Sequence, residues 1–176
     1  MNIILIGYMS SGKSTIGRKL AYRLGMEFID TDEAFESKYK IAITDFFDRF
    51  GEVRFRELER LVLIESLQTE NTIISTGGGT PCFFDNMQLI NKQGISVFLK
   101  LHPNSIFDRL IHSKKQRPLL KNLTHDELKL FIIKQLSVRE QFYNLSKIII
   151  KSENIKTNDL LDELKNKIED LKIINP

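Results

Sequence analysis

Gly7-Tyr8-Met9-Ser10-Ser11-Gly12-Lys13-Ser14-Thr15 follows directly on the apolar run Ile3-Ile4-Leu5-Ile6 and matches G-x-x-x-x-G-K-[ST] in full. A strand entering a glycine loop that opens a helix is the context this phosphate-binding loop requires. Gly7 and Gly12 permit backbone angles that a Cβ closes, so successive N–H groups can curl around an anion. Lys13 is placed to reach the β- and γ-phosphates of a nucleotide, and the Ser14 hydroxyl to ligate the Mg²⁺ that travels with it. The helix that starts here turns its positive end toward the same charge. Ile16, Leu20 and Leu24 recur at helical spacing up to Gly25, which makes the stretch strand, loop and helix rather than an isolated turn. Ser10, Ser11, Gly12, Lys13, Ser14 and Thr15 are therefore the candidate nucleotide-binding residues.

The 176 residues fit a single domain over 1–176, long enough to bury a core without metal or disulfide staples. Hydrophobic residues make up 41% and charged residues 28%, and no apolar run is long enough to cross a bilayer. The motif strand begins almost at the first residue, so the expectation is a cytoplasmic protein without a cleaved signal segment. Cys82 is the one cysteine and reads as a packing residue; His102, His112 and His125 lack the spacing of metal ligands. A net charge of +3 is too small to imply nucleic-acid binding, and neither a nucleic acid nor a membrane is expected as a partner. A monomer is expected.

Further along, Glu27-Phe28-Ile29 reads as a short strand ending at Asp30-Thr31-Asp32, with a helix opening at Glu33 and running over 33–39. Over 44–67 the apolar positions keep helical spacing around Gly51, which fits two helices or one bent one. Thr72-Ile73-Ile74-Ser75-Thr76 is a buried strand stopped by Gly77-Gly78-Gly79 and Pro81. A helix over 84–92, a strand over 95–101, a helix over 103–110 and an aperiodic basic stretch over 111–123 follow. Thr124-His125-Asp126-Glu127 is a capping box and starts a helix to Tyr143; a last strand covers 147–151 and a last helix 157–171. Five short apolar strands alternating with helices call for an α/β fold, a parallel five-stranded sheet between two helical layers, with ligands at the carboxyl ends of the strands.

At that edge the residue types carry chemistry. The strand at 73–76 has no acid to hold magnesium through its waters, and Asp30 is the candidate for that place. Asp32, two residues on along an extended segment, would share a side with Asp30 and receive a substrate hydroxyl; the plainer reading is a helix cap. Gly77-Gly78-Gly79 would bring backbone close to a ligand, at an entropic expense a plain loop has little reason to carry. Arg56 beside Glu52 and Glu59, and Arg139 near Asp126, read on their own as surface ion pairs.

The ordered set of the glycine-rich loop, Asp30-Thr31-Asp32, Phe55-Arg56-Glu57-x-Glu59, Ser75-Thr76-Gly77-Gly78-Gly79, Arg117-Pro118-Leu119-Leu120 and Arg139 with Tyr143 resembles the shikimate kinases over nearly the whole chain. The resemblance implies a P-loop NTPase type of fold, with a substrate-binding helical segment at about 32–61 and a lid at about 111–123. It implies transfer of phosphate from ATP to the 3-hydroxyl of shikimate, with Mg²⁺ held by Ser14 and Asp30. By likeness, Lys13, Asp32 and Arg117 are catalytic. Asp32, Arg56, Gly78, Gly79 and Arg139 would hold shikimate, Arg109 would lie against adenine, and Arg117 would come down on the phosphates as the lid closes. Arginine suits a carboxylate or phosphate because its planar fork pairs bidentately. Ser10 and Ser11 stand where many shikimate kinases have a glycine and a small residue, and Ser146 where alanine is common. A kinase for another hydroxy acid such as gluconate, and a nucleotide-dependent switch without transfer chemistry, are the competing expectations.

Overall fold

The computed structural model describes residues 1–113, 123–153 and 156–174. Within them lie the strands β1 (Asn2–Ile6), β2 (Glu27–Asp30), β3 (Thr72–Ser75), β4 (Gly94–Lys100) and β5 (Ile148–Lys151). The helices are α1 (Lys13–Leu24), α2 (Thr31–Tyr39), α3 (Ile43–Leu67), α4 (Asn86–Gln93), α5 (Pro103–Ile111), α6 (His125–Tyr143) and α7 (Thr157–Ile174). All pairings are parallel, in the order β2-β3-β1-β4-β5. No helix among the described residues is long and apolar enough to cross a membrane.

Alternation along the central strands builds both outer layers. Ile4 and Ile6 of β1, with Ile74 and Phe98, face Leu63 and Leu67 of α3, Ile90 of α4, Ile106 of α5 and Ile132 of α6. Ile3 and Leu5, with Ile73, Val97, Leu99 and Ile150, face Ile16 and Leu20 of α1 and Leu161, Leu164 and Ile168 of α7. Each fully buried aliphatic side chain contributes roughly 1.5–3 kcal/mol relative to exposure. A strand covered on both faces can dispense with polar residues, which is why β1 reads as an unbroken apolar run. A satellite cluster of Phe35, Phe46, Phe55 and Val62 joins α2 to α3.

Register sets the functional edge. Asp30 pairs with Ser75, Leu5 with both Ser75 and Val97, and the chains leaving β1, β2 and β3 emerge side by side. The expected strands and helices form among the described residues, with three differences that matter here. α3 is two helical runs that meet at a kink, with Gly51 at φ 75 and ψ 173 as the non-helical break. α4 begins at Asn86 rather than 84, because a 3-10 turn at Thr80–Cys82 and a left-handed Phe84 at φ 53 precede it. α2 begins at Thr31, so Asp30-Thr31-Asp32 is a strand end and a first helical turn rather than an extended segment. The capping box forms as expected, Thr124 N–H to Glu127 Oε2 at 2.8 Å and Glu127 N–H to Thr124 Oγ1 at 3.3 Å.

At the opposite end of the sheet, β4 passes close to β1 where Gly94 pairs with Asn2. Its backbone is extended at φ −178, which any residue adopts, so the constraint is space alone. A Cβ there would stand 2.4 Å from the Asn2 carbonyl oxygen and 2.6 Å from Ile4 Cδ1. Gly94→Ala is expected to lose about 1–3 kcal/mol of stability in urea unfolding, the range for overpacking; an unchanged midpoint would show that the two strands can spread freely.

Candidate active site

The phosphate loop is shaped by Gly7 at φ 153 and Gly12 at φ 93, angles that favour glycine. A Cβ at Gly7 would also stand 2.9 Å from the Leu99 carbonyl oxygen, so β4 crowds the loop from beneath. Ser10 takes φ 61, a left-handed angle in which a serine carries strain of roughly 1–2 kcal/mol. This is the position where the resemblance expects glycine. The Lys13 ammonium lies back on the loop, donating to the Gly7 carbonyl at 2.8 Å and the Tyr8 carbonyl at 2.9 Å.

Beside the loop three oxygen-bearing side chains converge. Ser14 Oγ donates to Asp30 Oδ2 at 2.5 Å and stands 3.4 Å from Ser75 Oγ. Asp30 is also the cap of α2, its Oδ1 accepting the Asp32 N–H at 3.0 Å. The capping role therefore belongs to Asp30 rather than to Asp32. Hard oxygen donors at one spot suit a hard divalent cation such as Mg²⁺. A cavity of about 280 Å³ is lined here by Ser10, Gly12, Lys13, Ser14, Thr15, Asp30, Asp32 and Gly78, among others.

The glycine run closes the other side. Gly77 N–H donates to Thr31 Oγ1 at 3.1 Å, and the Gly78 carbonyl accepts from the Tyr143 hydroxyl. Burial drives the Tyr143 phenol upward, against the pull of the Arg139 charge, so it stays a donor. A Cβ at Gly77 would be 2.8 Å from Asp32 Oδ1 and from Glu59 Oε1, and one at Gly79 2.7 Å from both Nη1 and Nη2 of Arg56. A Cβ at Gly78 would be 3.3 Å from Met9 N and 3.6 Å from Arg139 Nη1. The three glycines thus let the chain pass between the phosphate loop and two arginines.

Arg56 is buried, as is Glu59. Its Nη1 donates to Glu59 Oε2 at 2.8 Å, and its Nε and Nη2 to Glu52 Oε1 at 3.2 and 2.9 Å. Burial would lower the guanidinium's pKa, but Glu59 and Glu52 together raise it. The partners of the expected ion pair are right, but Arg56 and Glu59 are buried and only Glu52 lies at the surface. Arg139 forms no ion pair with a described residue; its guanidinium sits 5.4 Å from the centroid of the Tyr8 ring. Burial pushes the neighbouring Cys82 thiol up to about 11, so it is an inert packing residue as expected.

The structure therefore gathers the loop residues, Asp30, Asp32 and Gly78 around one cavity, with Gly79, Arg56 and Arg139 against the glycine run behind it. Ser11 is turned inward: its side chain is buried and its N–H is taken by the Tyr8 carbonyl at 3.2 Å. Arg109 is exposed and rests on the loop, Nη1 donating to the Ser10 and Ser11 carbonyls at 3.3 Å each. Arg117 and most of the basic stretch at 111–123 lie outside the described residues. The supports that sequence reasoning passed over are Thr31, Thr80 and Phe83, whose partners are 46, 21 and 27 positions away and leave no local signal.

The shikimate kinase family profile matches residues 9–169. A shikimate kinase of Azobacteroides pseudotrichonymphae is 47% identical over 167 residues, covering 94% of this chain and 98% of that protein. The crystal structure of shikimate kinase from Bacteroides thetaiotaomicron superposes with a TM-score of 0.92 at 40% identity, covering 96% of this chain and 98% of that one. Shikimate kinase from Acinetobacter baumannii, solved in complex with shikimate, gives 0.89 at 31% identity over 97% and 94%. Matched along almost its whole length in sequence and in fold, the chain belongs to the shikimate kinase family.

Proposed function

We propose that this protein transfers the γ-phosphoryl group of ATP to the 3-hydroxyl of shikimate, giving shikimate 3-phosphate and ADP on the route to chorismate and the aromatic amino acids. The observation that carries the residue roles is the shared cavity of Lys13, Ser14, Asp32 and Gly78, backed by Arg139 and Arg56 across the glycine run. An acceptor bound there lies next to the phosphate loop. The loop N–H groups and Lys13 hold the phosphates, which requires the ammonium to leave the Gly7 and Tyr8 carbonyls. Ser14 and Asp30, with Ser75 behind them, would hold Mg²⁺. That ion supplies neutralisation of the phosphate charge when bound.

Asp32 orients the acceptor hydroxyl and takes its proton as the oxygen attacks phosphorus and the bond to the β-phosphate oxygen breaks. Arg56 and Arg139 hold the acceptor's carboxylate, and Gly78 and Gly79 offer N–H groups. Three of the five guanidinium N–H groups of Arg56 are engaged by Glu52 and Glu59, which leaves two for a ligand. Arg139 brings a positive charge unmatched by a described carboxylate to the same place. Such a site works by position and fixed charge, the requirements of phosphoryl transfer. Arg109, across the phosphate loop, would meet the adenine, and Arg117 the phosphates. We assign one domain over 1–176, with 32–61 as the substrate-binding segment and 111–123 as the lid, acting as a cytoplasmic monomer on small molecules.

The reaction is tested by ADP release from ATP across a panel of hydroxy acids. Shikimate should be preferred and gluconate should give little turnover; equal turnover of both would remove the assignment. Because Asp30 rather than Asp32 contacts Ser14, Asp32→Asn should keep the KM for ATP while kcat falls by about 10²–10⁴, the span of a lost general base. A loss of ATP affinity instead would exchange the roles of the two acids.

A further inference from the structure

We propose that Phe83 is a positioning residue for the acceptor carboxylate: its ring carries the Arg56 guanidinium and ties that clamp to the glycine run facing it. The proposal rests on the reading of Arg56 as a carboxylate clamp.

Three rings surround the Arg56 guanidinium, and Phe83 is the nearest, 4.2 Å from Cζ to its centroid against 5.1 Å for Phe55 and 5.8 Å for Phe47. Phe55 adjoins Arg56 in the same helical run, and Phe47 comes from the part of α3 before the Gly51 break. Phe83 comes from another part of the chain, just after the turn at Thr80–Cys82 that follows the glycines. The two acids and the ring act in different directions. Glu52 and Glu59 grip N–H groups, which point outward in the guanidinium plane, whereas a ring over Cζ restrains the plane from its face.

The face contact also solves a problem of competition. A third carboxylate would hold the cation as well, but it would occupy N–H groups that a bound carboxylate needs. The negative face of an aromatic ring attracts the guanidinium without accepting a hydrogen bond from those groups. On a cation buried between two acids, that is a way to fix orientation and leave donors available.

The segment that carries the ring is anchored on both sides of it. Thr80 Oγ1 donates to Glu59 Oε1 at 2.6 Å, and Asn86 Nδ2 donates to the Thr80 carbonyl at 2.8 Å. Arg60, one helical turn beyond Arg56, donates to Asn86 Oδ1 at 2.8 Å and lies 5.3 Å from the Phe84 ring. Consecutive phenylalanines therefore serve consecutive arginines of one helix face, and the left-handed Phe84 separates their directions. The segment 80–86 and the Arg56 side of α3 form one unit, joined at Thr80 to Glu59, at Phe83 to Arg56 and at Asn86 to Arg60.

The test is a kinetic cycle on shikimate and ATP with F83L, F83Y, R56A and the double variant F83L/R56A, with thermal unfolding to verify that each is folded. F83L should raise the KM for shikimate about three- to tenfold, the size expected of a lost partly buried cation–ring contact, and leave the KM for ATP alone. F83Y should restore it, and F83L should add nothing once Arg56 is gone. A shikimate KM raised by R56A but unmoved by F83L, or raised by F83L by the same factor with and without Arg56, would overturn the role of Phe83 alone. A KM unmoved by R56A would instead overturn the carboxylate reading of Arg56, and the Phe83 proposal with it.

Discussion

The site depends on the close passage of a side-chain-free stretch of backbone, Gly77 to Gly79, between the phosphate loop and the charged face of α3. On one side Gly78 approaches the backbone of Met9 and Gly7, and on the other Gly79 lies against the Arg56 guanidinium. Neither contact survives an added Cβ unchanged. The stretch is held there by bonds to each neighbour: Thr31 at the start of α2, Tyr143 at the end of α6, and Thr80 reaching Glu59 on α3. Buried hydroxyl groups with defined partners fix a flexible sequence, and removing such a partner leaves a polar group without one at about 1–3 kcal/mol. A run of three glycines can thus be both conformationally unfavourable and sharply located.

Charge is distributed around this stretch in two ways. Arg56 is buried and compensated by two acids, so its burial does not strip its proton. Arg139 is half-buried and lies by the Tyr8 ring without an ion pair to a described acid. On the phosphate side, Lys13 is satisfied by carbonyls of its own loop. An anion entering the cradle replaces neutral acceptors with charged ones, and the gain in exchanging a neutral for a charge-assisted bond favours binding without a large backbone movement. Ser10, held at a left-handed angle, adds strain within the same loop.

Much of this architecture is legible in the chain because it is local. The glycine loop, the apolar strands and the Thr124 capping box each declare themselves within a few residues, and all form as read. The acids after β2 are instructive. An extended reading placed Asp30 and Asp32 together, and they do line one cavity, but through an N-cap geometry in which the helix starts two residues early. Asp30 and Asp32 thus share a cavity although the backbone between them is not extended. Arg56 shows the converse: its acidic partners were evident from helical spacing, whereas its burial follows from the arrival of Gly79 and Phe83, which no window of sequence contains. Ser146, noted only as a departure, proves to bury its hydroxyl without a hydrogen-bond partner among the described residues.

Gly79 carries no side chain because the Arg56 guanidinium, proposed to bind the acceptor carboxylate, occupies the space one would need. Gly79→Ala isolates this constraint: the φ of −89 suits alanine and the N–H is retained, but the new methyl group would sit 2.7 Å from both terminal nitrogens of Arg56. The end of an arginine side chain yields more easily than packed backbone, so the fold should persist while the clamp is displaced. The deciding measurement is the steady-state KM of this variant for each substrate. The shikimate value should rise by about tenfold or more, on the scale of a lost charge-assisted pair, with the ATP value nearly unchanged; an unaltered shikimate KM, or equal rises for both substrates, would contradict this role of Gly79.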